Sequence, residues 1–155
     1  MKGIANVLGH PVHPMLITVP LGLLPFAVIS DFVYLFTKKE LAAGISYYAT
    51  KGGLAGGLLA GVFGLMDWAV IPKNTRAKRI GTLHGITNAI VMLLFTLGLK
   101  ARNDDPQRSN ATAASLGALG VGLSLFSAWL GGELVYRLSI GVDSDANPDA
   151  SSSLE

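Results

Sequence analysis

The sequence contains no cysteine, and this absence removes several kinds of chemistry at once. Disulfide bonds, thiolate metal sites, iron–sulfur clusters ligated by this chain and cysteine nucleophiles are all excluded. Charged residues are also scarce at 14% of the chain, whereas soluble domains use about a quarter to cover their surface. The formal net charge is only +2, and the basic residues flank apolar stretches, so the composition gives no indication of nucleic-acid binding.

Long apolar runs make up much of the rest, and half of the 155 residues are hydrophobic. A helix needs about 20 mainly apolar residues to cross about 30 Å of hydrocarbon. Four stretches meet this requirement, and we predict transmembrane spans at about 14–36, 52–71, 81–99 and 112–138. Short polar connectors favour antiparallel neighbours. The predicted fold is therefore an all-α integral membrane protein, a four-helix bundle in up-down-up-down order at 1–142, with a disordered polar tail at 143–155.

Small residues recur at four-residue spacing in three of the predicted spans. The rows are Gly53, Gly57 and Gly61, then Gly81, Gly85 and Ala89, then Gly120, Ser124, Ala128 and Gly132. Such rows let helix backbones approach closely in lipid. The pattern predicts close packing inside the bundle or a homodimer through the glycine-rich faces, and it does not separate the two.

The basic residues bear on the orientation of the chain in the membrane. With four spans, both termini and the second connector share one side, and the 12 Lys and Arg residues divide six and six between the sides. The densest cluster, from Lys73 to Arg79, lies in the second connector and contains no acid. By the positive-inside rule, this cluster favours cytoplasmic termini.

Polar and aromatic residues gather near the end of the predicted bundle that carries the termini. Antiparallel order places there His10, His13, Asp67, Trp68, His84, Asn88, Trp129, Glu133 and Arg137. The opposite end carries Asp31 and ordinary loop charges. Ionisable groups within spans are costly and usually mark function. A purely structural interpretation also stands, in which the tryptophans form an interfacial belt and Glu133 pairs with Arg137 at i, i+4.

The functional interpretation is a metal site, because histidine with Asp and Glu is a competent ligand set for zinc, iron or copper. The predicted ligands are His10, His13, His84, Glu133 and Asp67. Around them, Asn88 would orient a histidine, Arg137 would balance Glu133, and Trp68 and Trp129 would complete the surroundings.

Haem b is the competing cofactor. The first and third helices of a four-helix bundle lie diagonally, so His10 or His13 opposite His84 suits bis-histidine ligation. A small transporter or proton-conducting module, using His84, Asn88, Glu133 and Arg137 as a relay, is an alternative. A structural or partner-binding subunit is another. No nucleophile–base pair has a recognisable spacing, so the sequence does not predict an enzyme.

The same residues carry a resemblance to a known family. They are the Gly-His-Pro-Val-His-Pro-Met opening at 9–15, the pair Asp67-Trp68, His84 with Asn88, and the closing run at 129–137. From about Gly9 to Val142 the chain resembles domain-of-unknown-function family 2231, a bacterial family of membrane proteins. The resemblance implies four spans and a bacterial inner-membrane location. Some members of that family are joined to a Rieske iron–sulfur domain, which implies electron transfer with a redox partner nearby.

Overall fold

Four long helices dominate the computed structural model, which describes residues 3–143 and 145–152. The first span contains α1 (Val12–Leu16) and α2 (Thr18–Thr37), followed by α3 (Glu40–Val70), α4 (Arg76–Ala101) and α5 (Ala111–Gly132). All four spans are long and apolar enough to cross a membrane, which confirms the predicted all-α membrane fold class. Residues 144 and 153–155 of the predicted disordered tail lie outside the described residues, and that tail stays a prediction.

Two helices begin more than a turn earlier than the predicted spans, because hydropathy marks the lipid-crossing part of a helix and not its ends. α3 begins at Glu40 instead of near Gly52, although its first turns carry polar side chains. α4 begins at Arg76 instead of near Gly81, because the Thr75 hydroxyl oxygen caps it by accepting the Lys78 N–H at 3.1 Å.

A two-stranded hairpin precedes the first helix. Strand β1 (Asn6–Val7) pairs antiparallel with β2 (His10–Pro11). The two turn residues Leu8 and Gly9 both have positive φ, at 49° and 80°, as a two-residue type I′ hairpin turn requires. His10 therefore lies in a strand, and the helix starts at Val12 and not at Pro14.

The helices pack as a ring in which α2 and α4 each contact both α3 and α5, so α2 and α4 are diagonal. Leu24 and Val28 of α2 meet Val91 and Phe95 of α4 at the centre. Glycines permit this packing, since a Cβ at Gly120 would lie 2.8 Å from the Phe95 ring. Many of the small residues in the four-residue rows therefore lie at helix–helix contacts inside the bundle. A homodimer through the glycine-rich faces stays a prediction.

Numerous large apolar side chains are exposed on the outside of this ring, as lipid contact requires.

Candidate functional site

His13, near the start of α1, is held against α3. Its Nδ1 lies 2.8 Å from the carbonyl oxygen of Ala60. The close approach depends on Gly64, because a Cβ there would lie 3.0 Å from both Cε1 and Nδ1 of the His13 ring. A carbonyl only accepts, so Nδ1 donates this hydrogen bond, and Nε2 is the nitrogen that carries the lone pair in the neutral tautomer.

His84, in the third turn of α4, is held against α5 in the same manner. Its Nδ1 lies 2.9 Å from the carbonyl oxygen of Ser127 and 3.0 Å from the hydroxyl of that residue. Its Nε2 lies 3.1 Å from the Asn88 amide nitrogen, which donates to it. This is the contact expected from their one-turn spacing, and it assigns His84 the same tautomer as His13.

The two imidazoles face a common cavity. Their ring centroids are 6.4 Å apart and their planes nearly perpendicular, at 88°. Both line a cavity of about 170 Å³ between the helices. Its remaining polar lining comes from Asn88, Ser124 and Ser127, and Met92 adds a thioether. No carboxylate is among the described residues that line it, so its polar lining consists of the two imidazoles, one amide and two hydroxyls.

Asp67 and His10 do not join the histidine pair. One Asp67 carboxylate oxygen accepts the backbone N–H of Ile4 at 2.8 Å, and Gly3 packs against the same carboxylate. Asp67 therefore ties the N-terminal segment to the end of α3. His10 is exposed in β2 and is not among the residues lining the cavity.

Glu133 is engaged by two arginines at the point where α5 continues into a π-helical turn, Glu133–Arg137. Arg76 of α4 donates to one carboxylate oxygen, and Arg137 Nε lies 3.6 Å from the other. Arg137 thus balances Glu133 as expected, but Arg76 is the nearer partner. No hydrogen bond among the described residues joins Glu133 to His84 or Asn88, the relay expected for proton conduction.

Of the five predicted ligands, His13 and His84 line a common cavity, and the metal site itself stays a prediction. Within residues 3–143 and 145–152, no group of three or more His, Asp or Glu side chains could hold a metal ion together. Asp67 and Glu133 were predicted to join the site only because they lie near the same level of the bundle as the histidines. Their side-chain directions and nearer partners place their carboxylates elsewhere.

Both tryptophans have partners other than the histidine pair. Trp68 Nε1 donates to the Thr82 hydroxyl at 3.0 Å, and the Lys78 ammonium lies 3.5 Å from the Trp68 ring centroid. Trp129 is 61% exposed and stacks on Phe126. These positions suit an interfacial aromatic belt.

A buried ion pair at the opposite end of the bundle was missed by the sequence interpretation. Nη2 of Arg102 donates to both carboxylate oxygens of Asp31, at 2.7 and 2.8 Å, and to the Ser46 hydroxyl at 3.1 Å. The Arg102 and Asp31 side chains are only 2% and 5% exposed. Asp31 within an apolar run was the available signal, since a buried carboxylate needs a partner. Buried polar groups therefore occur at both ends of the bundle and not at one.

A comparison with known families matches residues 9–144 to a family described as "Predicted membrane protein (DUF2231)". No curated protein and no solved structure matches the chain.

Proposed function

The chain belongs to the DUF2231 family of predicted membrane proteins, and we propose that it binds one copper(I) ion between His13 and His84. One observation carries the proposal. Each imidazole donates its Nδ1–H to a backbone carbonyl, at 2.8 and 2.9 Å, which leaves Nε2 as the metal-binding nitrogen of two rings that line one cavity. Metal-binding histidines are commonly fixed in this way by a carbonyl on the second nitrogen.

The separation of the rings suits one shared ion. Metal–imidazole bonds are about 2 Å long and a ring centroid lies about 1 Å behind its nitrogen, so two imidazoles across one ion have centroids about 6 Å apart. The centroids of His13 and His84 are 6.4 Å apart. Binding at His84 requires release of the Asn88 amide from its Nε2.

The donors favour copper(I) over the zinc and iron that the sequence also allowed. No carboxylate lines the described cavity, so a divalent ion would keep two uncompensated buried charges, whereas copper(I) keeps one. Imidazole and thioether together select copper(I), and Met92 lines the same cavity. Asp67 and Glu133, which zinc or iron would use, are held by Ile4 and by Arg76.

Haem b does not fit this cavity. Pockets for drug-sized ligands measure about 300–1,000 Å³, and the cavity beside His13 and His84 is about 170 Å³. A haem macrocycle needs more volume than this cavity provides. Neutral ligands also stabilise the reduced ion over its doubly charged form, so we favour holding or passing on copper(I) over electron transfer to a redox partner.

Competition for copper(I) tests the proposal. Detergent-purified protein is titrated anaerobically with copper(I) against a chromogenic chelator. We expect one equivalent bound by the wild type and at least a tenfold loss of affinity in His13→Ala and in His84→Ala. His10→Ala is the matched control, because His10 lies close in sequence but does not line the cavity, and it should bind as the wild type does. Failure of the wild type to compete, or equal losses in all three variants with unchanged helical content, would overturn the proposal.

A further inference from the structure

A basic pocket lies on the surface where α3 gives way to α4, away from the histidine cavity. Its volume is about 400 Å³, and it is lined by Lys73, Asn74, Lys78, Arg79 and Thr82. Three of these residues are cationic and none is acidic. Lys78, Arg79 and Thr82 share one face of α4 through i, i+3 and i, i+4 spacing, and the other two come from the preceding loop.

Trp68 indicates the depth of this pocket in the membrane. Its indole N–H donates to Thr82 at 3.0 Å, and Lys78 lies over its ring at 3.5 Å, so the indole is continuous with the pocket. Tryptophan is enriched at the level of the lipid headgroups. Deeper along α4, Leu83 and Ile86 are exposed apolar side chains suited to acyl chains.

Most nearby charges are already engaged, and this leaves two cations for a ligand. Arg76 pairs with Glu133, and Lys78 donates to the Trp68 carbonyl at 2.6 Å. Lys73 and Arg79 have no ion-pair partner among the described residues. Crowded cations near the positive end of a helix repel one another unless an anion is present.

We propose that this pocket binds the phosphate group of an anionic membrane lipid. A phosphate offers several acceptor oxygens to Lys73 and Arg79, and the headgroup level places a lipid phosphate beside them. Basic pockets at helix ends are known to recognise anionic headgroups. Free inorganic phosphate shares this chemistry, so the experiment includes it as a separate arm.

The test measures thermal unfolding of delipidated protein in detergent with added phosphatidylglycerol, phosphatidylcholine or inorganic phosphate. We expect phosphatidylglycerol to raise the midpoint of the wild type more than phosphatidylcholine does. Lys73→Gln/Arg79→Gln should lose at least half of that difference, and Arg79→Gln alone a smaller share. The control is Lys38→Gln/Lys39→Gln, which removes two exposed lysines between α2 and α3 and should keep the full difference.

Equal responses to the two lipids, or equal losses in the pocket and control variants, would overturn the proposal. A shift produced by inorganic phosphate alone would overturn a lipid as the source. Copper(I) binding by the same variants separates this site from the histidine cavity, because none of the substituted residues lines that cavity.

Discussion

The buried pair of Asp31 and Arg102 allows a quantitative prediction about charge inside this bundle. Removing one partner of such a pair costs about 3–5 kcal/mol, because the other charge is left buried alone. The stability losses caused by the two single substitutions should have different physical origins. After Arg102→Met, the remaining carboxylate can take up a proton, and protonating an aspartate at pH 7 costs about 4 kcal/mol in water. The electrostatic part of the stability lost in Arg102→Met should therefore not exceed about 4 kcal/mol.

Asp31→Asn should be the more damaging change. A guanidinium does not lose its proton in proteins, and Nε and Nη1 of Arg102 already lack hydrogen-bond partners in the described part of the chain. We therefore expect a loss of about 5 kcal/mol, the upper end of the range for a broken buried pair. The combined substitution Asp31→Leu/Arg102→Met removes both charges and both unpaired nitrogens. It should lie within about 1 kcal/mol of the wild type or be more stable.

Equilibrium unfolding by dodecyl sulfate in mixed dodecylmaltoside micelles measures these differences. Trp68 and Trp129 report the transition by fluorescence, and neither contacts the pair. The control is Arg108→Gln, which removes the exposed partner of Asp105 and should leave the midpoint nearly unchanged. A combined variant as unstable as the sum of the single losses, about 9 kcal/mol, would refute the reasoning. So would an Arg102→Met variant as stable as the wild type.

Two further predictions concern a glycine beside the histidine pair and a titrating group outside the spans. Gly64→Ala should weaken copper(I) binding at least tenfold, because its Cβ would lie 3.0 Å from the His13 ring and displace it; chelator competition measures this. Hydrogen bonds from Tyr47 and Lys51 lower the pKa of Asp104 below its ordinary 3.8. Its stabilising contribution is therefore present above that value and lost as the pH falls through the lowered pKa, so the thermal midpoints of wild type and Asp104→Asn should converge only in acid.

Each of these predictions has a contrary outcome. Gly85→Ala is the control for the glycine change, because a Cβ there meets nothing within 4 Å. Equal effects of Gly64→Ala and Gly85→Ala on copper(I) affinity would contradict the packing account. A midpoint difference for Asp104→Asn that widens as the pH falls would contradict the assigned sign.

The sequence predicted the spans and two contacts of His84 for identifiable physical reasons. Apolar length alone marks a membrane helix, so the four spans were accessible. The contact of His84 with Asn88 follows from one-turn spacing within one helix. The meeting of His13 with His84 needed only their common height and the diagonal position of their helices.

Other contacts depended on side-chain direction, which composition and spacing do not fix. Asp67 and Glu133 lie near the predicted height, but backbone and arginine partners hold them away from the histidines. Arg102 was assigned to an ordinary loop, yet the end of α4 brings it to Asp31, which is 71 positions away in the chain. Pairings of this kind follow from helix rotation and loop path, which only the folded structure supplies.

X-ray absorption at the copper edge tests the central claim most directly. Protein loaded with one equivalent of copper(I) should show two imidazole nitrogens at about 2 Å, and His84→Ala should lose one of them while His10→Ala keeps both. A spectrum without imidazole scattering, or one unchanged by His13→Ala and His84→Ala, would contradict the assignment of these two histidines as the metal site.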